Sequence, residues 1–271
     1  MNIFQILLIQ PLANGLILFY NILGQNLGLA ILGFSVFLKV LMSPLTRRQM
    51  QSAKKMRDLK PRLDKLKLKY KGDKTKLMQA QADLYKEFKI NPMGSFLPLI
   101  AQMVVLFAFF SVFNKTLSSD SSALENLNNL LYPFLRFPQE HVINTNFLGL
   151  DLSKPNVTTY GVLPIAVPGP LIILAAIAQF VSAKIMAPLI KKEEKIAKGT
   201  PEKSDDMEVA MAKSTTITLP LITLFFGMQF AAGLALYWLA ISLFQAYDQY
   251  RTSGWGGLTP TINRVKRVFL L

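Results

Sequence analysis

The sequence predicts an all-α polytopic membrane protein: five transmembrane helices, an N-terminal interfacial helix and a cytoplasmic helical hairpin. Three observations predict it. Hydrophobic residues make up 51% of the 271 residues and charged residues 17%, less charge than a soluble domain carries. The apolar residues gather into runs of about 20, the length that crosses a ~30 Å hydrocarbon layer. The charge is placed unevenly: residues 46–90 hold 15 Lys/Arg against 5 Asp/Glu, residues 115–165 hold 3 against 4, and residues 1–25 hold none. The positive-inside rule then puts 46–90 in the cytoplasm and 115–165 outside.

Residues 1–25 are an N-terminal apolar segment. They lack a basic n-region and a cleavage site, so they do not read as a signal peptide. Pro11 and Asn14-Gly15 interrupt them, which favours a re-entrant or interfacial helix over 12–23. The core follows over 26–250, with spans near 27–45, 93–113, 160–186, 215–231 and 233–250. Between the first two spans lies the hairpin, 46–90. Met50, Ala53, Met56, Leu59, Leu63, Leu66 and Tyr70 recur at spacings of three and four, the pattern of an amphipathic helix. Gly72 breaks it, and Asp73 caps a second helix carrying Leu77, Ala80, Leu84, Tyr85 and Phe88. The two stripes are expected to pack on each other, and Pro61 to bend the first arm or start a new segment.

The outer loop, 114–159, contains a short amphipathic helix with Leu124, Leu127, Leu130, Leu131 and Phe134 on one face. Asn114 and Asn156 open glycosylation triplets, but such triplets are common and would mean nothing in a bacterium. Pro164, Pro168 and Pro170 make the outer end of the third span irregular. The cytoplasmic loop 187–213 carries 6 basic and 6 acidic residues around Gly199-Thr200-Pro201, a turn-rich composition. The apolar run 215–250 is too long for one span and turns at 229–233. The basic tail, 251–271, adds Arg251, Arg264, Lys266 and Arg267. This topology leaves the N-terminus outside and the C-terminus in the cytoplasm, in a multi-pass protein expected in the cell (plasma) membrane.

Absences narrow the function. The chain has no cysteine and one histidine, His141, which excludes disulfides, thiolate or His-rich metal sites and cysteine nucleophiles. The expected spans contain no Asp or Glu, with Asp248 at the inner end of the last, so an aspartyl intramembrane protease or carboxylate proton relay has no residues to work with. A phosphate-binding Gly-Lys loop is missing too. Neither an enzymatic activity nor a cofactor nor a metal is expected.

What remains is polar groups within apolar spans: Lys39, Gln102, Gln179 and Gln229. A lone glutamine in a span is commonly a hydrogen bond between helices. Lys39 is harder to place. It lies eight residues before Arg47, or roughly 12 Å along a helix at 1.5 Å per residue, which is well inside the hydrocarbon. An ammonium there costs about 2.5–3.5 kcal/mol on insertion scales. Two readings answer that cost. Either Lys39 snorkels to the cytoplasmic headgroups on its flexible stem, or it faces a water-filled cavity and holds a positive charge there.

Four ordered blocks carry a resemblance. They are Lys39-Val-Leu-Met-Ser-Pro44-Leu-Thr; Lys54-Lys-Met56 with Leu59-Lys-Pro61-Arg-Leu63; Leu84-Tyr85-Lys86, Asn91-Pro92-Met93-Gly94 and Pro98-Leu-Ile-Ala-Gln102-Met103; and Ala232-Gly-Leu-Ala-Leu-Tyr237-Trp238. Together they resemble the YidC family of membrane-protein insertases, with its mitochondrial and chloroplast relatives, over about 12–250. The resemblance implies a five-helix insertase core around a hydrophilic groove, open to cytoplasm and bilayer and closed outside. It implies a substrate groove lined by Lys39, Gln102, Gln179 and Trp238, with the hairpin receiving substrate first. The family usually has arginine at the position of Lys39 and proline at that of Val104. Lysine keeps the charge without the planar five-donor fork.

The function so implied is that of an insertase or chaperone, taking nascent transmembrane segments through a positively charged groove into the bilayer without nucleotide hydrolysis. Nascent membrane proteins and the phospholipid bilayer are its expected partners. The ribosome and the Sec translocon are candidate further partners, and recognition of a specific nucleic-acid sequence is not expected. An alternative is an anion channel or small-solute transporter built around Lys39. The basic hairpin argues against it, since a transporter has no need of such an arm.

Overall fold

The computed structural model describes residues 3–89, 97–116, 123–159, 166–186, 214–259 and 261–262. They are mostly helical and belong to two compact units. The first comprises Met1–Leu41, Gln102–Ser182 and Ile217–Ala246, and the second Met42–Ala101, Ala183–Thr216 and Tyr247–Leu271.

In the first unit, a π-helical turn, Gln5–Ile9, leads into α1, Gln10–Ile22. Pro11 falls in the first turn of α1, where its missing N–H is least costly. The expected interruption at Asn14-Gly15 does not occur. The helical run Gln5–Ile22 is long and apolar enough to cross a membrane, as is Leu27–Arg47. Gly15 is helical, and the Phe34 ring rests where a Cβ would stand, so a residue read as a breaker is a packing site. Gly24 (φ 74°) and Gln25 (φ 54°) turn the chain back into α2, Leu27–Lys69.

The first span is expected over 27–45, and Leu27–Arg47 is the part of α2 apolar enough to cross a membrane. α2 is one helix of 43 residues with Pro44 and Pro61 inside it, so the first span and the first hairpin arm are continuous. A proline within a helix costs about 3 kcal/mol. Restarting a helix costs a nucleation factor of about 10⁻³, roughly 4 kcal/mol, so running on is the cheaper course.

In the second unit, α3, Lys74–Glu87, packs back on the end of α2. Leu59, Leu63 and Leu66 meet Leu84, Tyr85 and Phe88, and the Arg62 guanidinium lies 4.8 Å over the Phe88 ring. Asp73 caps α3 by accepting from the Lys76 backbone N–H at 3.0 Å. That bond, with the Lys76 ammonium, holds its carboxyl below the usual range. The side chains of Met50, Ala53 and Met56 lie outside the described residues, as does the expected loop 187–213.

α4, Leu97–Thr116, is followed by α5, Ala123–Leu130, a 3₁₀ turn at Pro133–Leu135 and two small antiparallel ribbons. β1, Asn146–Phe147, pairs with β2, Leu150–Asp151; β3, Val157–Thr159, pairs with β4, Ala166–Pro168. The third span, expected over 160–186 with an irregular outer end, has its helix from Pro170, as α6, Pro170–Met186, after the β4 strand. Its N-terminus is fixed by Asn156, which is buried and accepts the Leu171 N–H at 3.0 Å. Residues 160–165, with Pro164, lie outside the described residues. A π-helical turn, Ser214–Thr218, opens α7, Leu219–Gly227, and α8 runs Ala232–Ser253. Gln229 is exposed in the turn between them.

Asp151 organises the first ribbon. It accepts from Thr145 Oγ1 at 2.8 Å, Ser153 Oγ at 2.6 Å and Ser153 N–H at 3.0 Å. Burial alone would raise its carboxyl, but these hydrogen bonds and Lys154 outweigh burial and hold it well below the ordinary carboxylate range. With its folded-state value depressed, Asp151 stabilises the ribbon above the unfolded carboxylate value of about 3.9. That contribution is lost as pH falls further. Thermal unfolding of the wild type is therefore expected to be insensitive to this group above about pH 4 and to weaken below it, whereas Asp151→Asn lacks that component of the acid slope. The Lys154 ion pair is solvent-facing and adds little.

Candidate functional site: a polar layer beneath an aromatic cap

Among the described residues, the larger hydrophobic core of the first unit is drawn from α1, α2, α4, α6 and α8. Its centre is aromatic. Phe34 of α2 lies 5.9 Å from Phe109 of α4, and Phe109 stacks on Tyr237 of α8 at 4.5 Å. Gly233 begins α8 against Phe113 and Ile31, with no room for a Cβ. Around this cap the buried side chains are apolar: Ala108, Val112, Ile172, Ala175, Leu234 and Leu236.

Polar side chains also enter the interior of this unit, among buried apolar residues such as Leu38, Ala178 and Ile241. Ser35, Ser182, Thr223 and Ser242 are buried, and Lys39, Gln102 and Gln179 are half-buried. Lys39 comes five residues after Phe34, Gln102 seven before Phe109, and Ser242 five after Tyr237. At 1.5 Å per residue these positions lie about 8–11 Å beyond the cap on three different helices. Trp238 is half-buried at the level of the cap itself.

The face of α2 on which Lys39 lies bears on its role. Ile31, Ser35 and Lys39 are four apart, so they lie along one strip of helix surface; Ile31 and Ser35 are fully buried. The Ser35 hydroxyl donates to the Ile31 carbonyl at 2.6 Å. The apolar residues that α2 exposes, Leu29, Val36, Phe37, Val40 and Leu41, occupy a different arc. Lys39 thus belongs to the flank of the packed face, not to the exposed one.

Gln179 has a defined partner, since its Oε1 accepts from the Thr223 hydroxyl at 2.6 Å. The bond joins α6 to α7, as the sequence reading of an inter-helix glutamine allows. The four groove residues that the resemblance implies, Lys39, Gln102, Gln179 and Trp238, thus fall in the same unit, half-buried. Sequence reasoning missed the hydroxyls. Ser35 was the findable one, four residues before Lys39 in an otherwise apolar run. Among the described residues, no group of three or more His, Cys, Asp or Glu side chains is placed to hold a metal ion. The layer offers hydrogen bonds and positive charge.

The chain matches known proteins over most of its length. The family model for the 60Kd inner membrane protein matches residues 18–254. Among curated relatives, the membrane protein insertase YidC of Rickettsia rickettsii (strain Sheila Smith) is 30% identical over 250 residues, covering 89% of this chain. The proteins of the same name from Rickettsia typhi and Rickettsia prowazekii match equally, at 30% over 250 residues. The chain spans 38% of the length of these relatives. The match takes in the blocks that carry the sequence resemblance, from Lys39 to Trp238. This chain belongs to the 60Kd inner membrane protein family, the membrane-protein family that includes YidC.

Proposed function

We propose that the chain is a membrane-protein insertase that moves nascent transmembrane segments into the bilayer without enzymatic chemistry. The observation that carries the reading is the set of polar side chains, Ser35, Lys39, Gln102, Gln179, Thr223 and Ser242, buried or half-buried on α2, α4, α6, α7 and α8 of one unit beside an aromatic core. A segment with a short polar tail is expensive to drive through ~30 Å of hydrocarbon. A hydrated polar layer part-way across shortens the dry distance, and the aromatic cap seals the other side. Lys39 supplies attraction for acidic tails in a medium less screening than water, with Gln102, Gln179 and Trp238 completing the groove. The apolar part of the substrate then leaves into lipid, driven by burial of roughly 20 apolar residues.

This reading has five spans, with the N-terminus outside and the basic hairpin and C-terminus in the cytoplasm. The hairpin meets substrate first. Nascent membrane proteins and lipid are the partners, with the ribosome and the Sec translocon as further candidates. The test is photocrosslinking from position 39, and separately from exposed hairpin positions, to a ribosome-bound nascent membrane protein. Crosslinks from both sites, with the hairpin preceding position 39 as the chain lengthens, are expected. Anion flux through proteoliposomes without any crosslink would instead identify a channel.

A further inference from the structure

Residues 132–134 display aromatic surface on a fixed frame. Phe134 is 79% exposed, and its ring stacks on that of Tyr132 with centroids 6.0 Å apart. Their neighbours Leu131 and Leu135 are buried with Leu127 against Ile17 of α1. The turn therefore drives its leucines inward and its rings outward. It is locked in place: the Tyr132 N–H donates to Asn14 Oδ1 at 2.7 Å and the Leu135 N–H to the Tyr132 carbonyl at 2.9 Å. Arg136 follows directly and is itself exposed.

The position of the turn identifies what meets it. Asn14 comes seven residues after Leu7 and four before Leu18, so all three share one face of the helical run, and Leu7 and Leu18 are exposed apolar residues. Tyr132 is thus tied to the side of an apolar stripe, on a helix long and apolar enough to cross a membrane. Whether α1 crosses the bilayer or lies along its surface, that stripe meets lipid, and the rings beside it meet the same lipid. Paired aromatics with an adjacent arginine are what the headgroup region favours, the rings at the interface and the guanidinium on phosphate.

We propose that the Tyr132–Phe134 turn is an interfacial anchor, its two rings seated among the headgroups and upper acyl chains of the leaflet beside α1. The inference rests on the reading of the apolar helices as membrane-embedded, and not on the role of Lys39. The chain has no cysteine, so single cysteines at Phe134, Val40 and Lys154 can each carry an environment-sensitive fluorophore without background. The labelled full chains are placed in phosphatidylethanolamine–phosphatidylglycerol vesicles with spin-labelled acyl chains, and quenching is compared with that by aqueous iodide. Val40, 66% exposed on α2, reports the lipid-facing surface; the exposed Lys154 reports water. The expected result is lipid quenching at Phe134→Cys comparable to that at Val40→Cys, stronger from a shallow spin label than from a deep one, with little effect of iodide. Iodide quenching equal to that at Lys154→Cys would place the turn in water and overturn the proposal. Protection from both quenchers would place it against protein and overturn it equally. Loss of lipid quenching at Val40→Cys as well would show that the membrane reading itself had failed, and the anchor with it.

Discussion

Lys39→Ala is expected to lose insertion of substrates with short acidic tails, while Lys39→Arg retains it. At an effective dielectric of about 20, an ammonium and a carboxylate about 4 Å apart attract by roughly 4 kcal/mol, and hydration of the groove takes back part of that. A loss of about 2 kcal/mol in the insertion barrier slows the step on the order of 30-fold. Arginine keeps the charge and adds a planar fork of donors, so it restores the rate for acidic tails. Substrates with neutral tails do not draw on the attraction and should insert into alanine-variant proteoliposomes nearly as well as into wild type. Protease protection of the tail measures each case. Full protection of acidic-tailed substrates by Lys39→Ala would remove Lys39 from the mechanism and return it to the snorkelling role that its sequence position also allows.

The helices were legible in the sequence, but several of their ends were not. Periodicity found α3 and its Asp73 cap because both depend on residues within one turn of each other. It ended the first span near 45, close to the apolar stretch Leu27–Arg47, but did not show that α2 continues as one helix to Lys69. It gave Phe134 to the apolar stripe of α5. A 3₁₀ turn after Leu130 changes the period, so that Leu135 takes the inward place and Phe134 the outward one. The candidate site was legible in its charge and amides, since Lys39, Gln102 and Gln179 stand out within apolar runs. Most of its hydroxyls were not; Ser35, four residues before Lys39, could have been read, although it satisfies itself on the preceding turn. The direction of Lys39 became readable only once Ile31 and Ser35 were seen to be buried on the same strip of α2.

Asn14→Ala is expected to be the most destabilising of the polar-to-alanine changes in α1. The sequence presents Asn14 as a helix interrupter, but its side chain is 4% exposed and joins two segments 116 residues apart. Nδ2 donates to the Leu130 carbonyl at 3.0 Å and to the Gln10 carbonyl at 2.7 Å, while Oδ1 accepts the Tyr132 N–H at 2.7 Å. Those bonds terminate α5 and set the direction of the chain into the Pro133–Leu135 turn. Alanine leaves the Leu130 carbonyl and the Tyr132 N–H without that partner, and an unsatisfied buried group costs about 1–3 kcal/mol. The combined loss is about 2–4 kcal/mol, read as a lowered unfolding temperature in detergent and as faster proteolysis near Arg136. Asn14→Asp separates the two halves of the clamp. Its carboxylate still accepts the Tyr132 N–H but offers no donor to Leu130 and repels that carbonyl, so it should fall no closer to wild type than alanine does. Asn14→Gln keeps both functions on a longer stem and should recover part of the loss only if the turn can move outward to meet it. If alanine matches wild type in both unfolding and proteolysis, the buried leucines, Leu127, Leu131 and Leu135 on Ile17, hold the outer segment by themselves and the clamp is redundant.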